Sequence, residues 1–159
     1  VPAEPRLKDP SEFVLIGTES DPELFARVKS RAAELDNVRF EGFVPFAEID
    51  RYFRSADVFL NTSRQEGFPN TFLQSWAYKK PVVSLTVDPD NVISEHGTGW
   101  VLSDSVPKAV DLLDQLADDP EYRVEVGERA YQYFCDTHSI DAIVDKYEQV
   151  FTDNRTGPT

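Results

Sequence analysis

The chain contains no methionine, one cysteine and no apolar run long enough to cross a bilayer. The lone Cys135 cannot form an internal disulfide, which fits a reducing compartment, and we expect a cytoplasmic protein. Neither a basic start nor an apolar segment follows Val1, so the N-terminus does not have the pattern of a signal peptide. Because no initiator methionine is present, we expect the chain to have been processed or excised from a longer one.

Basic residues are also scarce, because 16 Lys and Arg face 29 Asp and Glu, a net charge of −13. Such a surface repels phosphate backbones, which argues against nucleic acids and equally against anionic membrane as general partners. Asp outnumbers Glu and Lys is rare. That balance suggests adaptation to high salt, and simple solubility is the alternative. With 159 residues, 40% of them hydrophobic, the chain can build one ordinary domain with a core.

Short apolar segments alternate with helical patterns about five times, which is typical of a parallel sheet covered by helices on both faces. The predicted strands are residues 12–17, 37–44, 57–61, 81–85 and 100–102. The predicted helices are residues 22–35, 45–53, 70–78, 91–95, 106–117, 121–137 and 140–151. The sequence therefore predicts an α/β domain over residues 12–151, with an extended lead-in at 1–11 and a disordered tail at 152–159.

In sheets of this kind, ligands bind at the carboxyl ends of the strands, where a loop at residues 62–69 enters a helix. Gly67 and Pro69 shape the turn, and Asn70 or Thr71 can cap the helix. The free N–H groups of the first turn favour a phosphate or a similar anion. Glu66 lies one turn upstream, where its carboxylate could accept hydrogen bonds from sugar hydroxyls.

Each of these features also has a purely structural interpretation. Thr71 and Gln74 have the spacing of a capping box, in which Gln74 only satisfies the Thr71 N–H. Phe68 and its apolar neighbours could be ordinary core. Arg64 could neutralise a phosphate or form a surface ion pair with Glu66.

Other sites have little support. His96 and His138 lack a second His or Cys at ligand spacing, so no metal site is expected. Neither a dinucleotide-binding GxGxxG nor a phosphate-binding GxxxxGK[ST] is present, and no Ser has triad partners at suggestive positions. Cys135 is interpreted as a small core residue rather than a nucleophile.

Four blocks of sequence, in order and spacing, resemble the C-terminal, nucleotide-sugar-binding half of retaining-type GT-B glycosyltransferases (glycosyl transferases group 1, family 4-like). The blocks are VRFEGFV at 38–44, ADVFLNTS at 56–63, EGFP at 66–69 and PVV at 81–83. The resemblance covers about residues 13–151. It implies a Rossmann-like three-layer sandwich that binds a nucleoside diphosphate sugar and transfers the sugar to an acceptor hydroxyl with retention. It also implies that no metal or other cofactor is needed.

The same resemblance assigns roles to individual positions. Glu66 matches the first Glu of the family's Glu-x7-Glu motif, which contacts the donor sugar, and is the expected catalytic residue. Gln74 stands where the second Glu is usual, and we interpret it as a variant that still reaches the ribose. The remaining donor-binding positions, with Val44 near the base and the others near the sugar and diphosphate, are Val44, Arg64, Gly67, Phe68, Pro69, Asn70 and Thr71.

The chain departs from the family pattern at its start. The family's C-terminal half normally begins with a strand, a basic pair that grips the diphosphate, and a helix, and Arg6 and Lys8 give no convincing match. The N-terminal domain with the acceptor site is also missing. We expect it to be the partner of this domain, with any peripheral membrane contact made through it. Alone, the chain should bind donor weakly and turn over little.

Two alternatives from other classes remain open. One is a catalytically silent nucleotide-sugar binding or interaction module, suggested by Gln74 and the missing basic pair. The other is a phosphoacceptor receiver domain, which needs an acidic cluster after the first strand, where only Glu19 is available.

Overall fold

A computed structural model describes residues 11–153 of the chain, in which strands and helices alternate as the sequence predicts. The strands of this part are β1 (Phe13–Ile16), β2 (Val38–Gly42), β3 (Phe59–Asn61), β4 (Val82–Ser84) and β5 (Gly99–Val101). Its α-helices are α1 (Pro22–Ala32), α2 (Phe46–Ser55), α3 (Asn70–Ala77), α4 (Val92–His96), α5 (Val106–Asp118), α6 (Pro120–Thr137) and α7 (Ile140–Asp153).

Three of the helices start with the same local chemistry, a polar N-cap followed by a proline in the first turn. The carboxylate of Asp21 accepts a hydrogen bond from the Leu24 amide at 3.0 Å at the start of α1. Asp119 does the same for α6, and the hydroxyl of Ser105 does so for α5. A proline at the first helical positions loses no hydrogen bond, because its missing N–H would have no partner inside the helix. These starts are local in sequence, which is why the pattern predicts them.

The strands are parallel, and the α/β class is confirmed, but they form two sheets where one was predicted. β1 pairs with β2, and β4 lies between β3 and β5. No hydrogen-bonded ladder joins β1 to β3 within residues 11–153. Pairing between strands that are distant in sequence depends on which edges meet in space, and periodicity carries no information about that.

The core lies on both faces of the second sheet. Val82 points to one side, where it packs with Phe72 and Trp76 of α3 and Ala130 of α6. Its neighbour Val83 points to the other side, where it packs with α5. Successive side chains of a strand alternate between faces, so β4 is covered by helices on both sides. The result is the three-layer arrangement of helix, sheet and helix.

The first sheet is much more open. Val14, Leu15 and Ile16 are 38%, 41% and 39% exposed although all three lie in a strand. A strand buried on both faces would show almost no exposure, so β1 lacks covering on part of its surface.

Helix α7 carries an exposed apolar stripe. Spacings of three and four residues place its members on one face of the helix. They are Ile140, Ile143, Val144, Tyr147, Val150 and Phe151.

The ends of the chain bear on the predicted domain limits. α7 continues through Asp153, so Thr152 and Asp153 are helical and do not belong to the predicted tail. The rest of that tail, and all but Ser11 of the predicted lead-in, lie outside the described residues. Over residues 11–153 no helix is long and apolar enough to span a membrane.

Candidate functional site

The loops after β3 and β4 are tied together at the carboxyl ends of these strands. Asn61 ends β3, and its side-chain oxygen accepts a hydrogen bond from the Ser63 amide at 2.8 Å. The hydroxyl of Thr86, after β4, donates to the Ser63 carbonyl at 2.7 Å. The beginning of the 62–69 loop is therefore fixed on the sheet, while residues 64–67 are exposed.

Glu66 lies on the exposed part of the loop. Within the described range its carboxylate forms no hydrogen bond or ion pair. An added Cβ at the next residue, Gly67, would meet nothing within 4 Å. The carboxylate and the bare backbone beside it are both open to a ligand.

Helix α3 begins at Asn70, with Pro69 as its N-cap and no side-chain cap. The predicted capping by Asn70 or Thr71 is therefore wrong, and the capping-box alternative for Thr71 and Gln74 is also absent. The Phe72 amide bonds to the Pro69 carbonyl at 3.0 Å, which starts the helix one residue before the predicted caps. No acceptor for the Asn70 or Thr71 amide is found among residues 11–153.

The inner side of the loop is packed into the protein. Pro69 is buried and Phe68 is half-buried. The Phe68 ring centroid lies 6.2 Å from that of Trp76 and 5.3 Å from the imidazole of His138. Phe72 and Trp76 are fully buried below it. The prediction that these apolar residues belong to the core is compatible with the ligand prediction, because residues 64–67 are exposed while the packed residues begin at Phe68.

Three further positions predicted to bind the donor are less available to a ligand than Glu66 and Gly67. Gln74 is half-buried on the second turn of α3. Val44 is half-buried after β2 and belongs with the other sheet. Arg64 lies 3.9 Å from the carboxylate of Asp104, with both side chains largely exposed. In the described part of the chain this ion pair replaces the predicted one with Glu66, and the proposed phosphate contact of Arg64 stays a prediction.

Two buried polar residues at this edge were missed in the sequence. Asn61 and Ser84 are cross-strand neighbours that end β3 and β4, and they are 5% and 0% exposed. The Asn61 amide nitrogen and the Ser84 hydroxyl have no hydrogen-bond partner in the described structure. A polar residue at the end of an otherwise apolar strand was the available signal. Unpaired buried polar groups are rare in folded proteins, which marks this edge as unusual.

The two histidines, distant in sequence, both pack on Tyr133. Its ring centroid lies 4.5 Å from that of His96 and 5.5 Å from that of His138. Burial lowers the pKa of His138, and the cationic Lys146 lowers it further. No group of three or more metal-ligating side chains occurs among the described residues.

Comparison with known proteins gives this geometry a context. Residues 2–119 match the family described as "Glycosyl transferases group 1". A D-inositol 3-phosphate glycosyltransferase of Thermomonospora curvata is 28% identical over 159 residues, an alignment that covers 96% of this chain and 37% of the relative. The chain thus spans little more than a third of that protein's length.

Solved structures show the same fold. The crystal structure of Anabaena Alr3699/HepE in complex with UDP superposes with a TM-score of 0.79 at 16% identity, covering 92% of this chain and 42% of that one. A C-terminal domain of a glycosyl transferase group 1 family protein from Francisella tularensis, at 18% identity, gives a TM-score of 0.65, covering 82% of this chain and 88% of that one. With the fold of a GT-B C-terminal domain and a family match over residues 2–119, most of its length, the chain belongs to the glycosyl transferases of group 1.

Proposed function

We propose that this domain binds a nucleoside diphosphate sugar, and that together with an N-terminal acceptor domain it transfers the sugar to an acceptor hydroxyl. The observation that carries the proposal is the start of α3. There, two backbone amides without acceptors among residues 11–153 lie at an exposed helix N-terminus, four residues after the unpaired carboxylate of Glu66. Amides at a helix N-terminus suit a diphosphate, and a carboxylate suits sugar hydroxyls.

Each residue has a role in this proposal. Glu66 accepts hydrogen bonds from the donor sugar, the Asn70 and Thr71 amides meet the diphosphate, and Gln74 bonds the ribose. Arg64 leaves Asp104 to approach a phosphate, and Val44 contacts the base. Catalysis is then chiefly positioning and stabilisation of the leaving diphosphate, without a bound metal. Retention at the anomeric carbon belongs to the proposal, and the anomeric configuration of the product tests it.

The N-terminal domain as partner has support of its own. The alignment with one relative covers 96% of this chain but only 37% of the relative's length. The stripe of α7 also exposes large apolar side chains, with Phe151 at 67% and Tyr147 at 63%. A second domain packed on this stripe would remove that apolar surface from water.

Donor binding is tested by titrating the chain with UDP-, GDP- and ADP-sugars and comparing Glu66→Ala with the unaltered protein. The variant should raise Kd by about 10- to 100-fold, because hydrogen bonds to charged groups contribute roughly 1.5–3 kcal/mol. Glu121→Ala removes another exposed carboxylate, from the first turn of α6, and should leave Kd unchanged. Equal binding by both variants would contradict the role of Glu66.

A silent binding module is the second candidate, favoured by the uncharged Gln74 in place of the family's second Glu. Activity of the chain joined to an N-terminal acceptor domain separates the two. An enzyme should lose about 100-fold or more in rate with Glu66→Ala. A silent module transfers no sugar with either residue at position 66.

A further inference from the structure

His138 lies directly after α6, where its ring meets the candidate donor loop. Its amide donates to the Phe134 carbonyl at 2.9 Å and closes the helix. Its imidazole centroid is 5.3 Å from the ring of Phe68 and 5.5 Å from that of Tyr133. Phe68 lies two residues after Glu66. A residue 70 positions away in sequence is thus in contact with the part of the loop that precedes α3.

The Phe68 ring of the loop has two aromatic neighbours of different kinds. On one side, Phe68 contacts Trp76, which belongs to the same loop-and-helix unit and is fully buried. On another side it contacts the junction between α6 and α7 through His138. The exposed residues 64–67 offer no further packing. The position of the Phe68 ring, and with it the backbone at 67–70, is therefore set jointly by the core cluster on which Phe68 packs and by His138.

The surroundings of His138 favour its neutral form. Its Nε2 is buried and has no hydrogen-bond partner within residues 11–153. Lys146 of α7, whose ammonium group donates to the Thr137 carbonyl at 3.0 Å, is the nearby cation. Tyr133 and Phe68 present rings, His96 reaches Tyr133 from α4, and no carboxylate is in ion-pair distance within the described range. A proton added to Nε2 would place a charged donor where no acceptor is available.

We propose that His138 is a positioning residue for the donor loop. Its neutral ring holds Phe68, and through Phe68 it sets the backbone at 67–70 that meets the diphosphate. Protonation of the ring releases Phe68 and loosens the loop. The identity of the ligand rests on the proposed function, whereas the contact between His138 and the loop does not.

The sign of the pH effect follows from the lowered pKa. A histidine with a folded-state pKa below its ordinary value of about 6.5 is neutral near pH 7. The loop conformation in which Phe68 contacts the neutral His138 ring is then fully populated above about pH 6.5. It is lost as the pH falls through the lowered pKa.

The test follows the backbone amides of Gly67, Phe68 and Asn70 by NMR while the pH is lowered from about 7.5 until the His138 ring has titrated. In the unaltered chain these amides should titrate together with the His138 ring. They should stop titrating in His138→Phe and His138→Gln, and continue in the control His96→Asn. Loop amides that titrate unchanged in both His138 variants would overturn the proposal.

A reciprocal variant covers the case in which both His138 variants fail to fold. Phe68→Ala removes the ring that covers the imidazole, so the pKa of His138 should rise towards its ordinary value, because burial is the main cause of its lowering. An unchanged His138 pKa in this variant would also overturn the proposal.

Titration with UDP-glucose separates this inference from the proposed function, since its diphosphate does not titrate in this pH range. The unaltered chain should bind at least about threefold more weakly at a pH where the His138 ring is protonated than near about pH 7.5, and His138→Phe should show no such change. Coupled loop amides in a chain that binds none of UDP-, GDP- and ADP-glucose would uphold the positioning role and contradict the proposed function. Binding of UDP-glucose with the same pH dependence in His138→Phe would support the proposed function and contradict the positioning role of His138.

Discussion

Gly127 and Gly99 are positions where one methyl group would collide with the backbone of a neighbouring element. A Cβ added at Gly127 on α6 would lie 2.1 Å from the carbonyl oxygen of Lys79, just after α3. One added at Gly99 on β5 would lie 1.9 Å from that of Val82. These distances are far below any contact between real atoms, so the two glycines set how closely α6 approaches α3 and how β5 pairs with β4.

Gly127→Ala should lower the free energy of unfolding by about 3 kcal/mol, because overpacking against a backbone forces helices apart. Denaturant unfolding measures the change. Gly67→Ala is the matched control, since an added Cβ there meets nothing within 4 Å, and it should alter stability by less than about 1 kcal/mol. Similar losses in both variants would show that the approach of α6 to α3 is not tight.

The sequence predicts the contacts of a residue well when its partners are close in sequence, and poorly when they are distant. The helix predicted from residue 22 begins there, because the capping carboxylate of Asp21 and the Leu24 amide that donates to it are only three residues apart. The same reasoning gave the wrong cap for α3, where the burial of Pro69 and Phe72 decides the helix start. Arg64 pairs with Asp104, 40 positions away, and no spacing rule anticipates such a partner. The motif predicts where the site lies, and that stays a prediction, while the contacts of its residues required the fold.

Among the elements, β1 departs most from its predicted environment. It was expected to be a buried strand of one sheet, yet it lies in a separate two-stranded sheet with its apolar residues about 40% exposed. Doubly wound sheets commonly have the strand order 3-2-1-4-5-6. The orders β2-β1 and β3-β4-β5 correspond to 3-2 and 4-5-6, and no strand of residues 11–153 occupies the central place between them. We propose that the strand with which the family's C-terminal half normally begins fills this place and joins the sheets.

Hydrogen exchange of β1 tests that proposal. The amides of Phe13 and Gly17 donate to the β2 side, so by alternation those of Val14 and Ile16 face the open edge. In this chain Val14 and Ile16 should exchange quickly. In a longer chain that carries the family's preceding strand, the same two amides should be protected at least about 100-fold more, as central strands are. Exchange that stays equally fast in the longer chain would mean that no strand pairs there.

At the scale of the whole molecule, the net charge of −13 dominates. Like charges repel one another in the compact state. Salt shortens the range of this repulsion to roughly 10 Å at 0.1 M and roughly 3 Å at 1 M. The described ion pairs are mostly exposed and contribute little on their own. The fold should therefore gain more from screened repulsion than it loses from weakened pairs.

Adaptation to high salt, proposed from the composition, makes a clear prediction for this domain. Tm should be higher in molar KCl than in dilute buffer at the same pH, because the screened repulsion favours the folded state. KCl is preferred to sulfate salts, which strengthen the burial of apolar groups in any protein. An equal or lower Tm in KCl would leave simple solubility as the explanation of the acidic surface.

The buried ring of Trp76 has a practical consequence. It packs against Phe68 of the loop, whereas the other tryptophan, Trp100, packs against Tyr122 in the separate cluster around α5. The domain therefore contains its own fluorophore at the base of the loop. In a Trp100→Phe background, the intrinsic emission of Trp76 would report directly whether Phe68 of the loop is packed against it. No label would be needed on the surface that meets the ligand.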